Sequence, residues 1–122
     1  AASGMPVLPY SLPSMLELAS AGVMQMTDVV RLMCHNPAQI FSIRERGYIR
    51  QGYKADLTLV SRSDQGYKVS NADVPNKCGW TPFEGEQFHW KLCTTWVNGR
   101  AVYNEGNFDT EIKGQPVEFN RL

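Results

Sequence analysis

The stretch Leu92-Cys93-Thr94-Thr95-Trp96-Val97-Asn98-Gly99-Arg100-Ala101-Val102-Tyr103 decides how the chain is built. Two runs rich in β-branched and aromatic residues flank Asn98-Gly99. That dipeptide accepts positive φ at both central positions of a type I′ turn, whose twist matches that of the strands it joins. The stretch therefore predicts a β-hairpin. Upstream, Ala55-Asp56-Leu57-Thr58-Leu59-Val60 reads as another strand, with Leu57 and Leu59 on one face, and residues 65–69 read as its hairpin partner. Residues 70–90 carry Pro75, Gly79, Pro82 and Gly85 and read as irregular. Residues 105–122 read as a surface tail with one short strand at 117–119.

Before Gly47 the texture is helical. Residues 1–10 form a loop rich in glycine and proline. Met15, Leu16, Ala19 and Val23 then recur at helical spacing, with Pro13 in the first turn, Ser14 and Glu17 as a capping box, and Gly22 as the stop. Thr27 is the expected N-cap of a second helix, with Asp28 in its first turn and Val29, Val30, Leu32 and Met33 on its apolar face. Asn36-Pro37 is expected to start a third, short helix that carries Ala38, Ile40 and Phe41 inward. Helices first and strands afterwards make an α+β arrangement. Its core is thin for 122 residues, and a larger body would bury the helical faces better.

Composition narrows the function classes. Twelve Lys and Arg balance twelve Asp and Glu, with no basic run, so neither nucleic acid nor an anionic membrane is an expected partner. The apolar stretches are too short to span a bilayer. The N-terminus lacks the charged and apolar regions of a secretory signal, and the missing initiator Met fits a fragment or a processed chain. Cys34, Cys78 and Cys93 are odd in number and widely spaced. That argues against a disulfide framework and for a reducing, cytoplasmic setting.

The residue types that carry chemistry are sparse. His35 is expected at the end of the second helix, where a cation suits the dipole. His89 lies between Phe88 and Trp90, where packing or a hydrogen bond is its expected role. Cys78, His89 and Cys93 do not have the short-loop spacing of zinc ligands. Cys34 and His35 are helical neighbours about 100° apart and so do not form a nucleophile–base couple. No phosphate-binding loop, nucleophile elbow, H-x-H or H-E-x-x-H occurs.

Several segments in order nevertheless resemble the end of a cyclic amidohydrolase. Ala2-Ser3-Gly4-Met5-Pro6 and Ser11-Leu12-Pro13-Ser14-Met15-Leu16-Glu17-Leu18 resemble the loop and helix after the eighth barrel strand of dihydroorotases. Asn36-Pro37-Ala38-Gln39-Ile40-Phe41 resembles that family's N-P-A-x-x-F helix. Gly47-x-Ile49-x-x-Gly52-Tyr53-x-Ala55-Asp56-Leu57 resembles its G-x-I-x-x-G-x-x-A-D-L turn and strand. Asn-Pro-Ala and Ala-Asp-Leu segments also occur in hydantoinases and allantoinases. Gly79-Trp80-Thr81-Pro82-Phe83-Glu84-Gly85 is more similar to dihydroorotases than to those relatives.

The resemblance implies a metal-dependent hydrolase with a (β/α)8 TIM-barrel parent fold, which needs about 200 residues or more. Residues 1–46 would be the last loop and helices of the barrel. Residues 47–122 would be the C-terminal part of a small β-sandwich domain and a tail. The implied reaction is the reversible cyclisation of N-carbamoyl-L-aspartate to L-dihydroorotate in pyrimidine biosynthesis, with zinc as cofactor. None of the family's metal ligands or catalytic residues has a match here, so the segment alone would be inactive. One role carries over. The family's Pro-Gly pair in the loop after the eighth strand offers backbone groups to the substrate, and Ser3-Gly4 occupies that place, with Ser replacing Pro. The alternative for Ser3-Gly4 is a plain turn. The resemblance further implies a small-molecule substrate, packing against the rest of the barrel, and a homodimer. A hydantoinase or allantoinase, or an inactive scaffold homologue, stands as the alternative.

Overall fold

The computed structural model describes residues 4–120. Asn98 and Gly99 hold φ of 51° and 78°, and they join strand β2 (Gln87–Val97) to strand β3 (Arg100–Asn104) with Val97 opposite Arg100. Strand β1 (Leu57–Lys68) pairs with the other edge of β2, and the two-residue strand β4 (Asn107–Phe108) pairs with β3. The sheet is antiparallel throughout, in the order β1-β2-β3-β4.

The expected hairpin partner of Ala55–Val60 proves to be the same strand. Residues 65–68 continue β1, and its partner is β2, which begins at Gln87 rather than Leu92. A bulge makes this continuation possible. Arg62 pairs with Trp90 and Tyr67 with Phe88, so four residues of β1 face the single residue His89. Gly66 sits in that bulge at φ 61°, where an added Cβ would come within 2.5 Å of the Phe88 carbonyl oxygen.

The helical half also departs from expectation at its caps. Helix α1 (Ser11–Ser20) follows directly on a 3-10 turn at Leu8–Tyr10, so the chain enters it already wound. Ser14 and Glu17 therefore form no capping box. The Ser14 hydroxyl donates to the Ser11 carbonyl at 3.0 Å, and Glu17 turns toward the sheet. Gly22, at φ 76°, does end this stretch. The cap of α2 (Met26–Val30) is Gln25 rather than Thr27, and the Gln25 N–H donates to the Asp28 carboxylate at 3.0 Å.

Asn36 caps nothing, because its φ of −60° and ψ of −46° keep it helical. The segment Arg31–His35 widens to π geometry and leads straight into α3 (Asn36–Ile40). Pro37 explains the widening. It lacks an N–H, and its ring would strike the carbonyl four residues back, so the Asn36 N–H bonds to the Arg31 carbonyl, five residues back. His35 therefore lies inside a continuous helical stretch. It stacks on Tyr48 with ring centroids 4.2 Å apart instead of serving a helix end.

Two junctions lock the linker between helices and sheet. Gly47, at φ 81°, passes so close to the second helical stretch that an added Cβ would meet the Ala38 Cβ at 2.5 Å and the Cys34 carbonyl oxygen at 2.7 Å. Further on, the Asp56 carboxylate accepts the Asn98 N–H at 2.7 Å and the Arg46 Nε, while Arg46 Nη2 donates to Asn98 Oδ1 at 3.2 Å. The Gly99 N–H reaches the Ala55 carbonyl at 2.9 Å. Ala55-Asp56 thus clamps the hairpin turn. Burial would raise the Asp56 carboxyl, but the Asn98 amide and the Arg46 guanidinium outweigh it and hold the group below its ordinary range.

The third junction seats α1 on the sheet. Leu16 and Pro13 are buried beneath the helix, and Glu17 lies beside them on the same face. One Glu17 oxygen accepts the N–H groups of both His89 and Trp90, and the other lies 3.1 Å from His89 Nδ1. Trp90 Nε1 donates to the Ser20 hydroxyl at 2.8 Å. Burial would raise the Glu17 carboxyl, but these bonds outweigh it and hold the group below its ordinary 4.5. Elsewhere the helical surface stays open. Ile40 and Phe41, expected inside, are 74% and 63% exposed, and only Ala38 of that trio is buried. The tail returns to the linker, where Ile43 bridges Phe119 and Arg44 pairs with Glu118 at 3.1 Å.

Two outcomes follow. Gly47→Ala is expected to cost about 2–4 kcal/mol in denaturant unfolding, from positive-φ strain and overpacking together. Gly52→Ala, also at positive φ but facing open space, is expected to cost only about 1 kcal/mol; equal losses at the two sites would remove the close-packing account. Glu17→Gln is expected to lose about 1.5–3 kcal/mol at pH 7. A carboxyl with a lowered folded-state pKa stabilises above its unfolded value and loses that contribution as pH falls. The gap between wild type and Glu17→Gln should therefore narrow from about pH 4.5 downward; a gap that stays constant to pH 3 would mean the charge contributes nothing.

Candidate functional site

The loop ahead of α1 is where the sequence places a substrate contact. Ser3 lies outside the described residues. Gly4 is exposed, and among the described residues nothing approaches within 4 Å of where its Cβ would be. From there the chain tightens. The Val7 N–H donates to the Met5 carbonyl at 2.9 Å, and the Val7 carbonyl accepts the Tyr10 N–H at 2.9 Å and the Ser11 hydroxyl at 3.0 Å. Pro6 and Pro9 stiffen the interval by fixing φ.

Tyr10 is the first buried residue after the loop, at 8% exposure. Its ring stands 5.9 Å from Phe83 and 6.1 Å from Phe88, the latter nearly edge-on at 77°. Phe83 and Phe88 are 5.4 Å apart, and Tyr67 meets Phe88 edge-on at 6.3 Å. With Val69 they form the main apolar cluster of the described residues. Burial, helped by Tyr10, Glu17 and Tyr103 nearby, pushes the Tyr67 hydroxyl up to about 12, so it stays a neutral donor to the Trp90 carbonyl at 3.3 Å.

Beside this cluster an open groove of about 1220 Å³ runs past Tyr10, Tyr67, His89, Lys91, Tyr103 and Phe108. His89 is its one imidazole, and Glu17 already holds that ring at Nδ1. Lys91 is paired with Glu105 at 3.1 Å. The cysteines point elsewhere: Cys78 is exposed with its thiol toward the Trp80 carbonyl, and Cys93 is buried with its thiol 3.1 Å from the Ser61 hydroxyl. Cys78, His89 and Cys93 thus have separate partners. Among the described residues no group of three His, Cys, Asp or Glu side chains could hold a metal ion. No described helix is long and apolar enough to cross a membrane.

Sequence reasoning missed Glu17 as the tie between helix and sheet, and Tyr10 as the anchor of the loop. A signal for Glu17 existed. It falls four residues after the buried Pro13 and next to the buried Leu16, on the side of the helix where a carboxylate must find donors.

Comparison with known proteins agrees with this arrangement. The family model described as "Amidohydrolase family" matches residues 6–102. A dihydroorotase of Halobacterium salinarum is 36% identical over 96% of this chain and 27% of its own length. One from Pyrococcus furiosus is 32% identical over 94% of this chain and 26% of its own. The chain thus spans about a quarter of the length of the curated relatives it matches. Among solved structures, L-hydantoinase (dihydropyrimidinase) from Arthrobacter aurescens superposes with a TM-score of 0.82 at 28% identity. That match covers 90% of this chain and 25% of the other. The matched region runs from the loop before α1 through the Asn98-Gly99 hairpin and most of β3, and the chain belongs to the amidohydrolase family.

Proposed function

We propose that this segment belongs to a dihydroorotase, an enzyme that reversibly cyclises N-carbamoyl-L-aspartate to L-dihydroorotate. The observation that carries the reading is the alignment of dihydroorotases along nearly the whole chain at 31–36% identity. In this reading residues 1–46 close a (β/α)8 barrel and residues 47–122 build a small β domain. The exposed Ile40 and Phe41 then face the rest of the protein, which supports the assignment. The whole enzyme is cytoplasmic and dimeric in this proposal. Zinc belongs to it as the metal of the parent enzyme. The described residues do not assemble a metal site, and the chemistry assigned to them does not involve it.

The role of this segment is to bind and orient. Ser3 and Gly4 offer main-chain groups to the substrate ring. The open space around Gly4 lets a ligand approach its backbone closely, which a side chain would hinder. The rigid turns from Met5 to Ser11 limit the conformational freedom lost on binding. A second reading, a hydantoinase acting on a related cyclic amide, is favoured by the L-hydantoinase superposition.

Assay of the full-length protein separates the two. L-dihydroorotate is expected to be turned over with kcat/KM at least about a hundredfold above that for hydantoin or allantoin. Chelation should abolish turnover, and added zinc should restore it. Faster opening of hydantoin would transfer the assignment to the hydantoinases, and turnover indifferent to chelation would remove the metal from the proposal.

A further inference from the structure

The turn Gly79-Trp80-Thr81-Pro82-Phe83-Glu84-Gly85 stands out in the sequence, and its one carboxylate, Glu84, is taken up within the turn's own bonding to Asn71. Its hydrogen bonds serve to fix one ring. Asn71 clasps the turn from two sides: its Oδ1 accepts the Thr81 N–H at 2.8 Å, and its own N–H donates to the Glu84 carboxylate. Thr81 is buried, and its carbonyl accepts the Glu84 N–H at 3.3 Å. The Gly85 N–H then ties to the Val69 carbonyl, and the Val69 N–H to the Glu86 carbonyl, each at 2.9 Å. These bonds hold Phe83 against Tyr10 and Phe88.

Tyr10 receives that support and passes it on. Residues 4–9 are exposed or half-buried, so among the described residues Tyr10 is the first buried side chain of the loop. Among the described residues, the hydrogen bonds of the loop run along the chain, from Met5 to Val7 and from Val7 to Tyr10 and Ser11. Within the described residues, Tyr10 is thus the first buried point from which the backbone toward Gly4 is held. The contacts that seat Tyr10 are ring contacts. Burial, with Asp73 and Glu84 nearby, pushes its hydroxyl upward, so the group stays neutral.

We infer that Tyr10 is a positioning residue for the substrate and that the Gly79–Gly85 turn acts on substrate binding through it. Tyr10 touches no reacting atom; seated between Phe83 and Phe88, it sets the place of the backbone that meets the substrate. The inference rests on the dihydroorotase reading, in which Gly4 contacts the ring. A loop displaced by about 1 Å weakens such contacts strongly, and the loss falls on binding while the reacting groups remain in place.

The test uses the full-length protein with Tyr10→Ala, Tyr10→Phe and Phe83→Leu. Three quantities are read: kcat and KM for L-dihydroorotate, bound zinc, and hydrogen exchange of the amides in residues 4–8. Tyr10→Ala is expected to raise KM about tenfold with kcat within about threefold, to keep its zinc, and to speed exchange in the loop. Phe83→Leu should shift KM and exchange the same way by less, and Tyr10→Phe should behave as wild type. An unchanged KM in both Tyr10→Ala and Phe83→Leu overturns the inference, as does a parallel loss of kcat and zinc. If Tyr10→Ala does not fold, Phe83→Leu decides by the same criteria. A wild-type protein that leaves dihydroorotate untouched overturns the functional reading itself, and the positioning role falls with it.

Discussion

A single carboxylate holds the two halves of this structure in register. Glu17 projects from the buried face of α1 and accepts two successive main-chain N–H groups of β2, with the His89 ring alongside. In a regular strand successive amides point to opposite edges, so one oxygen can collect both only where the ladder is irregular. That place is opposite the β1 bulge, where four residues face His89. The bulge leaves donors unpaired, and the helix supplies the acceptor. A charged acceptor at half-buried amides is stronger than a neutral one, and leaving those amides unmet would cost more than the bond contributes.

The rest of the packing follows from this seat. With α1 fixed at its middle turn, the 3-10 turn before it sets Tyr10 among Phe83, Phe88 and Tyr67. Tyr10 in turn fixes the C-terminal end of the loop that carries Gly4. On the far side, the helical stretch from Met26 to Ile40 continues through Pro37 by widening to π geometry, and Gly47 comes against it closely enough to exclude any side chain. Arg46 and Asp56 then tie the linker to the Asn98-Gly99 turn. Contacts thus run from the loop to the hairpin with few rotatable elements between them.

Only a small set of side chains is deeply buried, while Ile40, Phe41, Leu32 and Val30 stay open on the helices. These exposed apolar side chains lie along the helical stretches from Met26 to Ile40 and at Phe41 just after them. Along the groove, Lys91 pairs with Glu105 and the His89 ring lies against Glu17, while Asp73 and Asp109 also line it.

The sequence by itself determined the local geometry wherever one residue type has one physical outcome. Asn98-Gly99 makes a type I′ turn because few other residues accept positive φ at both positions. Gly22 stops α1 for the same reason, and the order of helices before strands follows from periodicity. The motif positions that carried the family resemblance prove to be joints: Gly47 for close approach, Asp56 for clamping the turn, Phe83 for seating Tyr10. Tertiary structure alone decided which carboxylate serves as a cap and which as a bridge. Ser14 and Glu17 have the spacing of a capping box, but the preceding 3-10 turn leaves no free helix start, and the unpaired amides of β2 take Glu17 instead. It also decided that residues 65–68 extend β1 rather than fold back on it, because the bulge at Gly66 preserves pairing with β2. These outcomes depend on donors and acceptors that meet across about seventy residues of chain, as Glu17 meets His89, and separations of that length leave no periodic trace in sequence.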